Sequence, residues 1–285
     1  MKQIKSLFIK EWQTHRMSFL MPLWFTLGVY VIGLLGWILS LIKGSGMSFQ
    51  TEFIGVKPAM ADIILWGSTT GTTIMLGIVA MITAITLADS TINGGFKRKC
   101  EILHLSQPVS LVKIVGTKYL FGIFGSILIL GVLSLVNSVV ISLFTGYFTS
   151  SHIYYGMVGW LQGLISISFS ILFLGSLWWF FAGLFRRKSF FMGMLVILGI
   201  QAAISILNYT AGLHIPSLTG YLAKLSMISI NFSPGHSSLP GLASVDKYIG
   251  MQWAEIWDWD SLLKVIYSAV FCVGGFLLYR RREVV

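Results

Sequence analysis

Residues Ala88–Lys118 read ADSTINGGFKRKCEILHLSQPVSLVKIVGTK, and the position of this stretch between two apolar runs decides the fold. Residues 63–88 before it and 119–144 after it carry no charge. Each run exceeds the roughly 20 predominantly apolar residues that cross a bilayer as a helix. The charged piece between them, 89–118, is therefore read as a loop joining two membrane spans. Within it, Gly94-Gly95 predicts a break in the chain, and Pro108 has no N–H with which to continue a helix. Between those breakers the sequence predicts a short helix over 96–106, about 16 Å long at about 1.5 Å per residue. Lys97, Arg98, Lys99 and Glu101 make one side polar, while Phe96, Ile102, Leu103 and Leu105 supply apolar contacts. A short helix held at both ends by spans has the shape to dock a soluble partner. A solvated basic turn that only fixes topology accounts for the same residues.

The rest of the chain agrees with a membrane protein. Of its 285 residues 55% are hydrophobic and only 11% charged, against about 25% charged in soluble domains. Six segments satisfy the span criterion: about 20–42, 63–88, 119–145, 157–185, 189–212 and 262–279. The fold class is all-α, a single polytopic transmembrane domain over 1–285 with a coupling loop at 89–118 and an outer loop at 213–261. Arg186-Arg187-Lys188 reads as a tight turn between the fourth and fifth spans. No A-x-A-like cleavage site follows the first apolar run, which is too long for a signal-peptide core, so it is expected to remain as a span. Cys100 falls in the basic loop and Cys272 inside a span, at levels too different for a structural disulfide.

Basic residues orient the bundle. Lys2, Lys5, Lys10, Arg16, Lys97, Arg98, Lys99, Lys113, Lys118, Arg186, Arg187, Lys188, Arg280, Arg281 and Arg282 fall on the side of the N-terminus. Lys43, Lys57, Lys224, Lys247 and Lys264 fall on the other. By the positive-inside rule both termini are cytoplasmic. The net charge of +10 then reflects anionic headgroups and orientation, which excludes nucleic acid as a partner. Residues 2–16 place Ile4, Leu7, Phe8 and Trp12 at helical spacing, predicting an amphipathic helix in the headgroup region; a basic topology signal explains them equally. In the outer loop, Leu218–Ile230 is too short to span and is expected to lie on or dip into the outer leaflet. Tyr248, Trp253 and Trp257 follow as interfacial aromatics and as a candidate face for an outer partner.

The chemistry is sparse. The first five spans hold no Asp, Glu, Lys, Arg or His, which argues against proton coupling and less firmly against sodium coupling. No histidine lies mid-span, and no H-E-x-x-H or G-x-S-x-G motif occurs. The chain contains no Gly-Lys dipeptide and hence no P-loop, so any nucleotide energy must come from another chain. No catalytic residue, metal site or cofactor is assigned to it. Thr69, Thr72, Thr73 and Thr83 share a face of the second span, and Asn137, Gln162, Gln201 and Asn208 add amides elsewhere. Thr69, Thr72, Thr73, Asn137 and Gln201 are candidates to line a substrate path; bonding between helices is the alternative. Gly67/Gly71 and Gly159/Gly163 have the spacing of close helix contacts.

Asp89, the charged stretch after it, Glu101-Ile-Leu-His-Leu-Ser-Gln-Pro-Val-Ser110 and Lys118 resemble the membrane subunits of type-2 ABC (ATP-binding-cassette) exporters. Gly274-Gly275, Phe276–Tyr279 and Arg280-Arg281-Arg282-Glu283 resemble that family's last span with its basic-acidic cap, and Leu225–Ile230 followed by Phe232-Ser-Pro234 agrees. The chain departs from the family at Lys99-Cys100, where Gly-Thr is common, and at Leu111, where Arg is common. The resemblance implies a permease that pairs with a second copy or a sibling and works with separate cytoplasmic ATPase subunits, which bind ATP and Mg. The helix at 96–106 would be the coupling helix, with Phe96, Lys97, Arg98, Lys99, Glu101, Leu103 and His104 meeting the ATPase. The N-terminal helix would lie beside it, and the outer loop would form re-entrant helices. Separate subunits point to a bacterial or archaeal plasma membrane. Two other readings remain at this stage: the assembly passes motion to an extracytoplasmic protein, or the chain is an ATP-independent carrier or scaffold.

Overall fold

The computed structural model describes residues 2–43, 58–97, 110–144, 150–228 and 245–283, and helices are the regular structure throughout these. In chain order they are α1 (Lys2–Phe19), α2 (Met21–Ile42), α3 (Pro58–Lys97), α4 (Leu111–Tyr119), a π-helical turn (Leu120–Phe124), α5 (Gly125–Phe144), α6 (Ser150–Leu184), α7 (Ser189–Ala211), α8 (Leu218–Ser226), α9 (Val245–Ile256) and α10 (Trp259–Glu283). Six helical stretches are long and apolar enough to cross a membrane: Gln3–Ile42, Asp62–Gly94, Leu111–Leu143, Ile153–Leu184, Ser189–Ala211 and Asp246–Arg281. The chain is an all-α, multi-pass membrane protein. The successive spans define a near end, which carries both helical termini, and a far end, which carries α8 and α9.

The helices outrun the apolar runs because propagating an existing helix adds a hydrogen bond for each residue fixed. The clearest case is α3, which passes through Gly94-Gly95 and reaches Lys97. The expected break is absent. Two glycines cost about 1 kcal/mol each relative to alanine in a helix. Here the preceding turn is anchored by Thr91, Ile92 and Asn93, all buried. Gly94 also lies where α1 approaches, for a Cβ there would meet the His15 ring at 3.7 Å. Phe96 and Lys97 are therefore the last residues of α3, not the first of a separate helix.

At the N-terminus, α1 runs almost directly into α2, with Leu20 alone off the helical path and Pro22 at the start of the new helix. The side of α1 turned to the bundle carries Glu11, which is buried, whereas Ile4, Ile9 and Trp12 are exposed. Phe19 stacks on Phe121 at 5.0 Å between centroids, fixing α1 to the π turn.

The centre of the bundle is α6, which packs along α3 on one side and α10 on the other. Close approach comes from glycine on α6. A Cβ at Gly159 would lie 2.6 Å from the Trp66 carbonyl oxygen, and one at Gly163 would press on Thr73. At the near end, Gly183 faces the Gly275 backbone. Three apolar clusters follow along the axis. Trp66 and Ile249 form the one at the far end, Leu76, Ile123, Leu130, Ile167 and Ile171 the middle one, and Ile92, Val115, Trp178, Trp179 and Tyr279 the near one. In contrast, α2 and α7 leave nearly all of their apolar surface outward.

Candidate functional site

Of the loop at 89–118, residues 98–109 lie outside the described residues, and Arg98, Lys99, Glu101, Leu103 and His104 all fall there. Its two stems are described, and several buried ionic and polar side chains, Glu11, Asn93, Lys118 and Ser189 among them, lie around them. On the entering stem, Asp89 of α3 accepts hydrogen bonds from Asn93 Nδ2 at 2.6 Å and from the Ser189 hydroxyl at the start of α7. On the leaving stem, Lys118 of α4 is buried, with Nζ 5.5 Å above the Tyr279 ring of α10. Cation–ring contacts of this kind contribute about 0.5–2 kcal/mol, more as water is excluded. The carboxylate of Glu11 on α1 lies close enough to attract Lys118, and His15 Nε2 sits 3.6 Å from it. The neighbouring Tyr119 hydroxyl shares a hydrogen bond with Ser176 of α6 at 2.7 Å.

Each of α1, α6, α7 and α10 thus touches one stem of the same loop through a polar or charged group. Asn93 Oδ1, fully buried, has no hydrogen-bond partner among the described residues. Glu11 and Tyr279 were not picked out from sequence. The available signal was an acid in a helix of otherwise basic character, at a point where helical spacing turns it inward.

The candidates for a substrate path lie in different parts of the bundle. Thr69 and Thr73 are buried in the α3–α6 seam and donate to carbonyls of their own helix, Thr69 to Leu65 at 2.9 Å and Thr73 to Thr69 at 2.8 Å. Thr72, partly buried, does the same toward Ser68. Asn137 of α5 accepts from the Tyr30 hydroxyl of α2. Gln201 of α7 accepts from the Thr219 backbone N–H at the start of α8. These are three separate places; Asn137 and Gln201 join two helices each, while the threonines bond within α3. The chain matches no family model, no curated protein and no solved structure.

At the far end, Gln162 ties three helices. It accepts from the Trp66 indole N–H at 2.8 Å and donates to the Ile249 carbonyl at 3.0 Å. Of the outer aromatics, Tyr248 and Trp253 pack against the Trp66–Ile249 cluster, whereas Trp257 and Trp259 are strongly exposed, at 67% and 66%. The aromatic face expected there is thus divided, with Tyr248 and Trp253 turned to the bundle and Trp257 and Trp259 outward. Lys224 of α8 pairs with Asp260 of α10 at 2.9 Å, and that hydrogen bond holds the ammonium above the usual lysine range.

Lys264 is a correction of another kind. Counted with the outer-surface lysines, it is in fact buried, because it sits more than a turn inside α10 where α8 covers it. Its position within the predicted sixth span was visible in the sequence. Among the described residues no three His, Cys, Asp or Glu side chains gather as a metal site requires.

Proposed function

We propose that this chain is the permease subunit of an ATP-driven exporter of the type-2 ABC kind, paired with a second permease copy or a sibling. In this reading ATP and Mg are bound by a separate ATPase subunit, which seats on the loop at 98–109, and the chain itself is not an enzyme. The observation that carries the reading is the bracing of that loop. Its two stems are linked through Asp89, Lys118 and Tyr119 to α1, α6, α7 and α10. A force applied to the loop is delivered to four other helices. A loop that served only to reverse the chain would need no such bracing.

Two further features support it. Between the ends, Lys264 is the one Asp, Glu, Lys, Arg or His in the predicted spans, so the bundle has little with which to carry a coupling proton. The side on which basic residues collect is the near end, which orients the loop and both termini to the cytoplasm of a bacterial or archaeal plasma membrane. A conformational change requires contacts that differ between two states. An ATPase pair that closes on nucleotide and grips the braced loop supplies that difference.

The test is direct. Purified in mild detergent from its native membrane, the chain is expected to bring an ATPase subunit with it. Leu103→Asp is expected to leave membrane insertion intact while reducing transport-coupled ATPase activity at least about tenfold, the scale of a lost apolar anchor of about 1.5–3 kcal/mol. An absent ATPase, or unchanged coupling in the variant, would overturn the proposal.

A further inference from the structure

Lys264 carries the inference, because a buried ammonium in an apolar span demands acceptors. Its residue is 1% exposed. Nζ donates to the Met227 carbonyl at 2.7 Å and to the Ser170 hydroxyl at 3.3 Å. An ammonium has three N–H donors, so these two bonds leave one donor without an acceptor among the described residues. Met227 follows the last residue of α8, where the helix leaves unsatisfied carbonyls and a partial negative charge. The end of α8 thus presents to Lys264 what an anion would present.

The surroundings suit an amphipath. On the same two helices as Ser170 and Lys264, the Phe173 ring lies 6.5 Å from Tyr267 and 6.4 Å from Phe271, further toward the near end. On the far side Phe169 meets Trp257 at 5.9 Å. The charge stands at the head of an aromatic seam between α6 and α10. The covering element is light: α8 has nine residues, and Leu225 is its one buried residue. Its further ties are the Ser170 hydroxyl, which donates to the Met227 carbonyl at 3.4 Å, the Lys224–Asp260 pair, Tyr221 with Tyr267 at 3.2 Å, and the Gln201–Thr219 bond.

We propose that Lys264 is the receptor for the anionic headgroup of an amphipathic ligand, a phosphate or carboxylate bearing an acyl chain, and that the C-terminus of α8 fills this receptor when no ligand is bound. A headgroup oxygen takes the place of the Met227 carbonyl, the acyl chain lies along Phe173, Tyr267 and Phe271, and α8 withdraws. That this ligand is cargo rests on the permease reading; that it binds does not.

The experiment uses the full chain alone in nonionic detergent. With Cys100→Ser and Cys272→Ser as background, Ser226→Cys reports the exposure of the end of α8 by its rate of maleimide labelling. Dodecyl phosphate, laurate and dodecyltrimethylammonium are titrated in parallel. At least one anion is expected to speed labelling saturably by about fivefold or more, and the cation of equal chain length to leave it unchanged. Lys264→Gln is expected to abolish the anion dependence or raise the half-saturating concentration at least about tenfold, while Lys264→Arg and the exposed Lys224→Gln retain it. Which of the two anions acts separates a phosphate headgroup from a carboxylate. Equal acceleration by the cation, no acceleration by either anion, or an anion response that survives Lys264→Gln overturns the proposal. Should Lys264→Gln fail to fold, the anion–cation comparison in the chain with Lys264 intact decides alone. No ATPase takes part, so this result and the co-purification test succeed or fail separately.

Discussion

Gly159 and Gly71 look alike in sequence, each in a small-residue pair four apart, yet the structure treats them oppositely. A methyl at Gly71 would meet nothing within 4 Å, and one at Gly159 would lie 2.5 Å from Thr69 Oγ1 and 2.6 Å from the Trp66 carbonyl. Backbone cannot turn aside as a flexible side chain can. Gly159→Ala is therefore expected to force α3 and α6 apart at a cost of about 1–3 kcal/mol, lowering the thermal midpoint in detergent by several degrees. Gly71→Ala should leave the midpoint unchanged or raise it slightly, since alanine favours helix by up to about 1 kcal/mol. Equal effects in the two variants would refute this account of the seam. The same limit governed the amides. Gln162 in an apolar run has one appearance whether it faces a path or a partner, and its partners Trp66 and Ile249 stand 96 and 87 residues away. Pair spacing shows which residues share a helix face; it does not show what the face meets.

Among the elements, the spans were legible and the irregularities were not. Six apolar runs of sufficient length announce six crossings on composition alone, and each lies within a long apolar helical stretch or overruns it by a residue or two at its C-terminal end. The π turn at Leu120–Phe124 has no such mark, because a wide turn is an answer to neighbours. Its neighbours are specific: Gly122 faces the Leu87 side chain and the backbone at Leu87–Ala88, Phe121 stacks on Phe19, and Ser126 donates to the Gly122 carbonyl at 2.6 Å. The extra residue in that turn sets the rotation of α4 against α5, and so aims Lys118 at Tyr279 and Tyr119 at Ser176. Deleting Leu120 should restore ordinary pitch and rotate α4 by about 100°. The expected product still inserts but melts several degrees lower, with its basic stem turned from α10. A midpoint equal to that of the parent would show the wide turn to be idle. Gly94-Gly95 teaches the reverse lesson, that a breaker signal yields when the turn before it is buried.

On the scale of the molecule, the apolar surfaces of α2 and α7 face outward, as they must where the surrounding solvent is hydrocarbon. Cysteines placed at Val31 and Leu198, each 58% exposed, are expected to react in vesicles with a membrane-soluble maleimide and not with a water-soluble one. A cysteine at the fully buried Ala84 should react with neither. Ready labelling of Val31 or Leu198 from water would overturn their placement as spans. One dimension of the bundle has a mechanical result. The 40 residues of α3 form an unbroken rod about 60 Å long, twice the roughly 30 Å of hydrocarbon it crosses. Gripped along its middle by α6, such a rod is a lever with a fulcrum. A tilt of about 5° swings its two tips by about 2–3 Å in opposite senses, so that widening the bundle beside Lys97 narrows it beside Pro58.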